Sequence, residues 1–325
     1  MNAIYTLAND VTLEWLLGLM GSLERCGCRL PVVIIPYDDK TAKLRKQMKQ
    51  WENARLWEAP ELPILDQLGL KIAGAGSHPM FRKLSIFWGP YDVFCYLDAD
   101  IIVGEDPNNW MNIYGAGKAR CDLIVMDNDV QWVFQPGRLR ERFRVEERPA
   151  VNAGFWMGRR GLLSLRDIEA AGEAALDHRE EFISEYGDQS FWNFLMWWKG
   201  LKPSTFPALG SRYADTVWAP QNVRRSAEGE FVIVSGNRAG RVVPFLHWAG
   251  LKAGPDMANW HLYLESALSA SDLAGKARLL LGFFQKSPRA FLKNVPRHLA
   301  KKAMTPAINR LGKREPGVQV RKVLN

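Results

Sequence analysis

The sequence predicts an α/β protein with a mixed, mostly parallel and doubly wound central sheet, followed by a basic helical extension at the C-terminal end. Short apolar runs rich in branched and aromatic residues alternate with helical patterns through the first half of the chain. Strands separated by helices pair in parallel, because each helix returns the chain to the starting end of the sheet. The clearest apolar run, Val93–Leu97, leads directly into two acids, Asp98 and Asp100. In an open α/β sheet, ligands bind at this carboxyl edge.

The predicted elements follow one another in a regular order. Strands are expected where apolar runs are short, and helices where apolar residues recur every three to four positions. The expected strands cover residues 3–7, 31–36, 54–57, 93–97, 122–126, 151–157, 230–234 and 242–246, and the expected helices cover residues 12–23, 41–51, 80–88, 162–178 and 188–198. A basic stretch over residues 131–149 is expected to form a lid or an acceptor loop. We therefore expect one catalytic domain over residues 1–265 and a tail over residues 266–325.

Composition favours a well-packed cytoplasmic protein. Apolar residues make up 47% of the 325 positions and include 13 tryptophans, which is enough for a large core. No stretch has the pattern of a signal peptide or the length of a membrane span. The four cysteines (Cys26, Cys28, Cys95 and Cys121) lack the spacing of a zinc site, so a reducing compartment is expected.

Charge is distributed unevenly along the chain. Residues 276–325 contain 13 Lys or Arg and one acid, a net charge of +12, whereas residues 1–275 contain 30 basic and 34 acidic residues, a net charge of −4. The acidic body argues against nucleic acid as a partner. The tail mixes basic and apolar residues, which favours an anionic membrane surface. The alternative is a set of short helices packed on the body, with a basic end.

The acids that follow the strand at residues 93–97 predict a metal site. In an extended chain, residues i and i+2 point to the same face, so the carboxylates of Asp98 and Asp100 approach one point. Two neighbouring carboxylates repel unless a cation neutralises them, and Mg²⁺ or Mn²⁺ suits oxygen ligands best. The alternative is a solvated turn after a strand.

Separated motifs, in the same order, resemble those of a known enzyme family. They are Leu7-Ala8-Asn9-Asp10, Phe81-Arg82-Lys83-Leu84, Leu97-Asp98-Ala99-Asp100, Val151-Asn152-Ala153-Gly154-Phe155, Gly187-Asp188-Gln189 and Leu246-His247-Trp248-Ala249-Gly250-Leu251-Lys252. Over roughly residues 3–260 the chain resembles the family-8 retaining glycosyltransferases of the GT-A fold, the group that includes glycogenin and galactinol synthase. The resemblance implies a Rossmann-like catalytic domain.

The resemblance also implies a set of donor-binding residues. Alternatives remain for several: Asn9 is equally a helix cap, Lys83 an exposed helix lysine, and Gly154 part of a β-bulge. Lys252 comes one position earlier than the family pattern has it, and Ala253-Gly254 replaces the usual Pro-Trp. The implied donor-binding residues are Leu7, Ala8, Asn9, Lys83, Asp98, Ala99, Asn152, Ala153, Gly154, Gly250 and Lys252.

The metal and catalytic residues follow from the same resemblance. Asp98, Asp100 and His247 are implied ligands of Mn²⁺ or Mg²⁺, although a histidine on an apolar strand is more often a core residue. Asp188 and Gln189 are the implied catalytic pair beside the donor sugar, and the alternative for Asp188 is an N-cap. Asp127 is expected to contact a sugar hydroxyl or to form a turn.

The resulting hypothesis is a metal-dependent, retaining hexosyltransferase. It uses a nucleotide-sugar, with UDP as the expected nucleotide, and a carbohydrate, lipid-linked or protein acceptor. One alternative is a nucleotidyltransferase, which would carry a Gly-rich, basic loop after the first strand; residues 7–13 have none. The other alternative is a non-catalytic module that binds nucleotide-sugars.

Overall fold

The structure, a computed structural model, describes residues 1–74, 78–117, 120–214, 217–219 and 222–287. Within these ranges the strands are β1 (Asn2–Ala8), β2 (Val32–Pro36), β3 (Ala54–Leu56), β4 (Val93–Leu97), β5 (Ile101–Val103), β6 (Leu123–Asn128), β7 (Ala150–Arg159), β8 (Pro203–Ser204), β9 (Val223–Arg225), β10 (Phe231–Ile233), β11 (Val242–Val243) and β12 (Phe245–His247).

The α-helices of the same ranges are α1 (Leu13–Arg25), α2 (Ala42–Met48), α3 (Leu62–Ala73), α4 (Asn108–Gly117), α5 (Arg138–Val145), α6 (Leu165–Ala175), α7 (Gly187–Lys199), α8 (Trp260–Ser269) and α9 (Leu273–Lys286). Short 3₁₀ helices cover His78–Trp88, Val130–Trp132, Leu176–Glu181, Ser184–Tyr186 and Pro207–Leu209.

A mixed, mostly parallel sheet forms the centre of the described fold. Its seven strands lie in the order β3-β2-β1-β4-β7-β6-β8. Pairing is parallel from β3 through β4 and between β6 and β8, and antiparallel where β7 meets β4 and β6. The prediction of a mostly parallel α/β sheet is confirmed.

Each face of the central sheet buries its own apolar core. One core joins α1, α4 and α8 to side chains such as Ile4, Cys95 and Met157. The other joins α3, α6 and α7 to side chains such as Tyr5 and Trp156. Successive residues of a strand point to opposite faces, which is why Ile4 and Tyr5 belong to different cores. A strand covered on both faces is rigid, and its carboxyl end is a stable place for functional side chains.

Two small sheets complete the edge where the central strands end. In the two-stranded sheet, β5 and β12 pair antiparallel with His247 opposite Ile101. In the three-stranded sheet, β10 pairs with β9 and β11. The prediction of one strand at residues 242–246 is wrong. Two strands cover this region: β11 belongs to the three-stranded sheet, and β12 belongs to the two-stranded sheet.

Several other elements differ from the sequence predictions. The expected helix at residues 80–88 is a 3₁₀ helix, and the expected helix at residues 162–178 is α6 followed by a 3₁₀ helix. Helices α3, α4, α5 and α8 were not expected. The expected body–tail boundary at residue 265 falls within α8, which packs against α1.

The described part of the tail packs on the body. Phe283 of α9 is fully buried and stacks on Tyr263, with ring centroids 6.0 Å apart. Lys286 donates to the carbonyl oxygen of Ala253 at 2.7 Å. Residues 288–325, where most of the predicted basic segment falls, lie outside the described residues. Among the described residues, no helix combines the length and apolar character that crossing a membrane requires.

The close approach of α1 and α8 generates a stability prediction. A Cβ added to Gly21 would fall against the carbonyl oxygen of Ser266 and 2.7 Å from its carbonyl carbon, and this backbone cannot move away easily. We expect Gly21→Ala to lower the free energy of unfolding by about 1–3 kcal/mol because it overpacks the helix contact. Urea unfolding measures the difference.

Gly115→Ala provides the matched control. Gly115 lies on the exposed side of α4, and a Cβ there meets nothing within 4 Å. Alanine is the better helix former, so this variant is expected to be neutral or more stable by up to about 1 kcal/mol. Equal effects of the two substitutions would contradict the packing argument.

Candidate active site

The acids Asp98 and Asp100 lie in a turn between β4 and β5. The strand ends at Leu97, and the amide of Ile101 donates to the carbonyl oxygen of Asp98 at 3.1 Å. The expectation that an extended backbone aligns the two carboxylates is therefore wrong. The turn brings them together instead, and the pairing of β5 with β12 adds His247 beside them.

Asp98, Asp100 and His247 form one compact cluster. His247 Nε2 lies 3.2 Å from Asp100 Oδ1 and 3.8 Å from Asp98 Oδ2, and one ligand atom from each residue lies within 4.8 Å of the others. Asp100 Oδ1 and His247 Nε2 are both buried and have no hydrogen-bond partner among the described residues. Buried polar atoms are normally paired, and two carboxylates with an imidazole are suitable ligands for a divalent cation. The cluster fits the metal that the sequence predicts.

Gly154 of β7 makes this convergence possible. A Cβ at this position would lie 2.5 Å from His247 Cε1 and 2.6 Å from Asp98 Oδ2. The amide of Asp98 also donates to the carbonyl oxygen of Gly154 at 2.8 Å. Glycine is therefore required because the backbone at residue 154 lies very close to His247 and Asp98. The family resemblance had implied a different reason, a close approach to the donor sugar.

The two oxygens of Asp98 have different surroundings. Tyr96 donates its hydroxyl to Oδ1 at 2.6 Å, and Lys83 Nζ lies 3.7 Å from the same oxygen, which leaves Oδ2 facing His247. Burial raises the pKa of Asp98, and the positive charge of Lys83 opposes this shift. Burial alone would lower the pKa of His247, but Asp100 and Asp98 outweigh it and the pKa is raised.

Lys83 is a buried cation at the centre of the site. It projects from the 3₁₀ helix at His78–Trp88, and its Nζ lies 2.9 Å from Asp188 Oδ2 and 3.3 Å from the carbonyl oxygen of Ala153. Burial would lower the pKa of Lys83, but Asp188 and Asp98 raise it to about 12, so the ammonium stays charged. The alternative that Lys83 is an exposed surface lysine is excluded, because only 4% of the residue is exposed.

Asp188 faces Lys83 and does not cap its helix. Helix α7 begins at Gly187, so Asp188 lies in the first helical turn. Its side chain is 10% exposed and forms the buried ion pair with Lys83. The alternative role of N-cap is therefore wrong in this structure.

Gln189 links two segments on either side of α7. Its Oε1 accepts from Asn152 Nδ2 at 3.1 Å and from the amide of Ala153 at 3.3 Å. Its Nε2 donates to the carbonyl oxygen of Trp132 at 2.8 Å. The side-chain amide therefore joins β7 to the segment that follows β6.

That segment, residues 130–149, is packed against the body over much of its length. Ser190 Oγ donates to the carbonyl oxygen of Val133 at 2.5 Å, and the amide of Leu139 donates to Glu181 at 2.7 Å. Phe134 and Phe143 are buried. This packing argues against the predicted lid, because the segment is held in place as a fixed wall of the cleft. The predicted role as an acceptor loop stays a prediction.

A cleft of about 1020 Å³ contains most of the predicted site residues. Ala8 and Asn9 are buried beside the cleft without lining it, and Asn9 Oδ1 accepts from the amides of Val11 and Thr12, which is a helix-start role. Lys252 is exposed and does not line the cleft either. The predicted residues that do line it are Leu7, Lys83, Asp98, Ala99, Asp100, Asp127, Asn152, Ala153, Gly154, Asp188, Gln189, His247 and Gly250.

Other lining residues were missed by sequence reasoning. Tyr37 follows β2 at the same edge as Leu7, so the rule that ligands bind at carboxyl ends was a usable signal for it. Arg238, in the loop between β10 and β11, has no such signal, because only the tertiary fold brings that loop to the cleft. Trp15, Met80 and Tyr186 also line the cleft and were not among the predicted site residues.

Comparison with known proteins adds the fold family. No protein-family model and no curated protein matches the sequence. The galactosyltransferase LgtC, solved with donor and acceptor sugar analogues, is 15% identical with a TM-score of 0.53, and the match covers 84% of this chain and 97% of LgtC. An active-site mutant of LgtC is 16% identical with a TM-score of 0.54, over 83% and 96% of the two chains. The fold is the GT-A fold.

A third similar structure is larger than this chain. The bifunctional glycosyltransferase WbbM, in its apo form, is 11% identical with a TM-score of 0.53, over 82% of this chain. The match spans only 49% of WbbM, about half of its length. The predicted fold class is confirmed by these neighbours, all of which are glycosyltransferases.

The ligand cluster generates a binding prediction. We expect Asp100→Asn to weaken Mn²⁺ binding by roughly tenfold or more, because it removes one of the two carboxylate charges that face His247. Titration of Mn²⁺ followed by electron paramagnetic resonance measures the affinity. Asp129→Asn, an equal loss of charge at the exposed far wall of the cleft, is the control and should bind Mn²⁺ as the wild type does. Unchanged affinity in Asp100→Asn would remove this residue from the site.

Proposed function

We propose that this protein is a metal-dependent, retaining glycosyltransferase related to family 8, which transfers a hexose from a UDP-sugar to a carbohydrate, lipid-linked or protein acceptor. The observation that carries the proposal is the convergence of Asp98, Asp100 and His247 at the sheet edge, inside a cleft of the size that such ligands occupy. The GT-A fold supports it, since LgtC is a galactosyltransferase that was solved with donor and acceptor sugar analogues. The order of the sequence motifs supports it independently.

The donor end of the cleft is built for a diphosphate and a sugar. Asp98, Asp100 and His247 are the proposed ligands of Mn²⁺ or Mg²⁺. When bound, the cation supplies positive charge that stabilises the diphosphate as it leaves. Ala99 and Gly250 present backbone to the same side of the cleft, and Lys83 adds a permanent positive charge 3.7 Å from Asp98.

Asp188 is the proposed catalytic carboxylate. Its ion pair with Lys83 fixes the side chain beside Asp98, where a carboxylate would stabilise positive charge on the sugar ring. Retention requires the acceptor hydroxyl to arrive on the face from which the diphosphate leaves. The side chain of Gln189 bonds both Asn152 of β7 and the carbonyl oxygen of Trp132. We propose that this bridge sets the distance between the donor and acceptor sides of the cleft.

The acceptor end is proposed to lie along the opposite wall of the cleft. Trp132 and Tyr186 both line the cleft and are 55% and 43% exposed, which is unusual for side chains of this size. Asp127, at the end of β6, is also exposed and suits a sugar hydroxyl as an acceptor of hydrogen bonds. Aromatic faces with a few placed polar groups are typical of ligand sites.

The decisive test is an assay of UDP-sugar hydrolysis with and without Mn²⁺, over a panel of sugars. The proposal expects release of UDP that depends on the metal. Release of pyrophosphate from a nucleoside triphosphate would indicate a nucleotidyltransferase instead, and binding without turnover would indicate a non-catalytic module.

Asp188→Asn tests the catalytic assignment in the same assay. Asparagine keeps the shape and the hydrogen bond to Lys83 but loses the charge, so we expect turnover to fall about a hundredfold or more, equivalent to about 2.7 kcal/mol. Glu169→Gln, an equal loss of charge on the exposed face of α6, is the control and should retain wild-type turnover. Near-normal turnover in Asp188→Asn would make Asp188 a structural partner of Lys83 only.

We also propose that the basic segment places the enzyme at the cytoplasmic face of a membrane. Residues 288–325 contain ten Lys or Arg and one acid, while α9 packs on the body through Phe283. Each basic residue near anionic lipid contributes about 1 kcal/mol to binding. This arrangement suits an acceptor that is itself attached to a lipid.

Removal of residues 288–325 tests the membrane proposal without disturbing α9. We expect the shortened protein to keep UDP-sugar hydrolysis, since every proposed donor ligand lies upstream, and to bind anionic vesicles much more weakly. Binding by the full chain should weaken with added salt, because salt screens exposed charges. Co-sedimentation with anionic and with neutral vesicles measures both effects. Equal pelleting of the two proteins would indicate that the segment serves another purpose.

A further inference from the structure

Trp218 lies against the metal-ligand strand through both backbone and side chain. It belongs to the short segment 217–219, which forms a parallel bridge with His247 of β12. The amide of His247 donates to the carbonyl oxygen of Val217 at 2.9 Å, and the amide of Ala219 donates to the carbonyl oxygen of His247 at 3.1 Å. The backbone therefore fixes Trp218 in register with the histidine.

The indole of Trp218 stacks on the imidazole of His247. The ring centroids lie 5.4 Å apart with an interplanar angle of 16°. Gly154 contacts the same imidazole from another side, at Cε1, where even a methyl group would be too close. The imidazole is 2% exposed.

This stacking is an orienting contact of a kind other than a hydrogen bond. A histidine that binds a metal is normally held by a hydrogen bond from its second ring nitrogen to a carboxylate, a carbonyl group or water. Among the described residues, the hydrogen bonds of His247 involve its main chain, and its Nε2 faces Asp100 Oδ1 at 3.2 Å. Rotation about the last side-chain torsion would turn Nε2 away from Asp98 and Asp100, and the flat face of the indole opposes that rotation.

We propose that Trp218 is a positioning residue of the metal site. By stacking on His247 it holds Nε2 toward the two carboxylates and so sets the affinity for the divalent cation. This inference rests on the metal site of the proposed function. It adds that the site requires a flat aromatic ring at position 218, which none of the sequence motifs includes.

The test measures Mn²⁺ affinity in the full chain by electron paramagnetic resonance, with no donor present. Trp218→Leu removes the flat ring and is expected to weaken Mn²⁺ binding by about 10–100-fold, the effect typical of losing a contact that orients a ligand. Trp218→Phe keeps a flat ring and should bind close to the wild type. Trp198→Leu, the same substitution at an exposed position of α7 that does not line the cleft, should leave the affinity unchanged.

A spectroscopic measurement separates positioning from general loss of structure. Electron spin echo modulation from the coordinated imidazole nitrogen should be present in the wild type and Trp218→Phe and reduced in Trp218→Leu at saturating Mn²⁺. Thermal unfolding without metal checks that each variant folds. If Trp218→Leu does not fold, Trp218→Met, which keeps apolar volume without a flat face, carries the same expectation.

The outcomes distinguish this inference from the proposed function. Wild-type affinity in Trp218→Leu, or an equal loss in Trp218→Phe, would overturn the positioning role while leaving the metal site standing. Failure of the wild-type protein to bind Mn²⁺ would overturn the metal site itself, and the role of Trp218 with it.

Discussion

The structure depends above all on the repulsion between two carboxylates that the fold forces together. Asp98 and Asp100 are separated by one residue in a turn between β4 and β5, and both are partly buried. Positive charge must therefore be supplied nearby. Lys83 provides part of it permanently and His247 provides it when protonated. The proposed divalent cation would supply the rest and would pair the buried atoms Asp100 Oδ1 and His247 Nε2.

The same charge balance connects the metal cluster to the catalytic side of the cleft. Lys83 lies between Asp98 and Asp188, so one buried ammonium orients the metal-binding acid and the proposed catalytic acid together. Gln189, next to Asp188 on α7, then joins β7 to the wall that carries Trp132. The proposed donor and acceptor sides of the cleft are thus linked by neighbouring residues of one helix turn. A fixed wall of this kind favours precise placement of a sugar over closure of a mobile lid.

The sequence predicted the central sheet, and the family resemblance predicted that His247 lies near Asp98 and Asp100. Buried strands such as β4 are short apolar runs with a strong local signal, and the motif order identified His247, although it lies far from Asp98 along the chain. The prediction was weaker where contacts between distant parts of the chain determine the local conformation. The turn at Asp98–Asp100 replaced an extended chain because β5 leaves the central sheet to pair with β12. The stacking of Trp218 on His247 and the place of Arg238 in the cleft carried no local signal, since only the folded chain brings these residues there.

The most direct test of the central claim is a crystal structure of the protein grown with Mn²⁺ and UDP, with anomalous diffraction recorded near the manganese edge. The account predicts one anomalous peak bounded by the carboxylates of Asp98 and Asp100 and by Nε2 of His247, with the diphosphate on its open side. A peak elsewhere, or UDP bound in the cleft with Nε2 of His247 turned away from both acids, would contradict it.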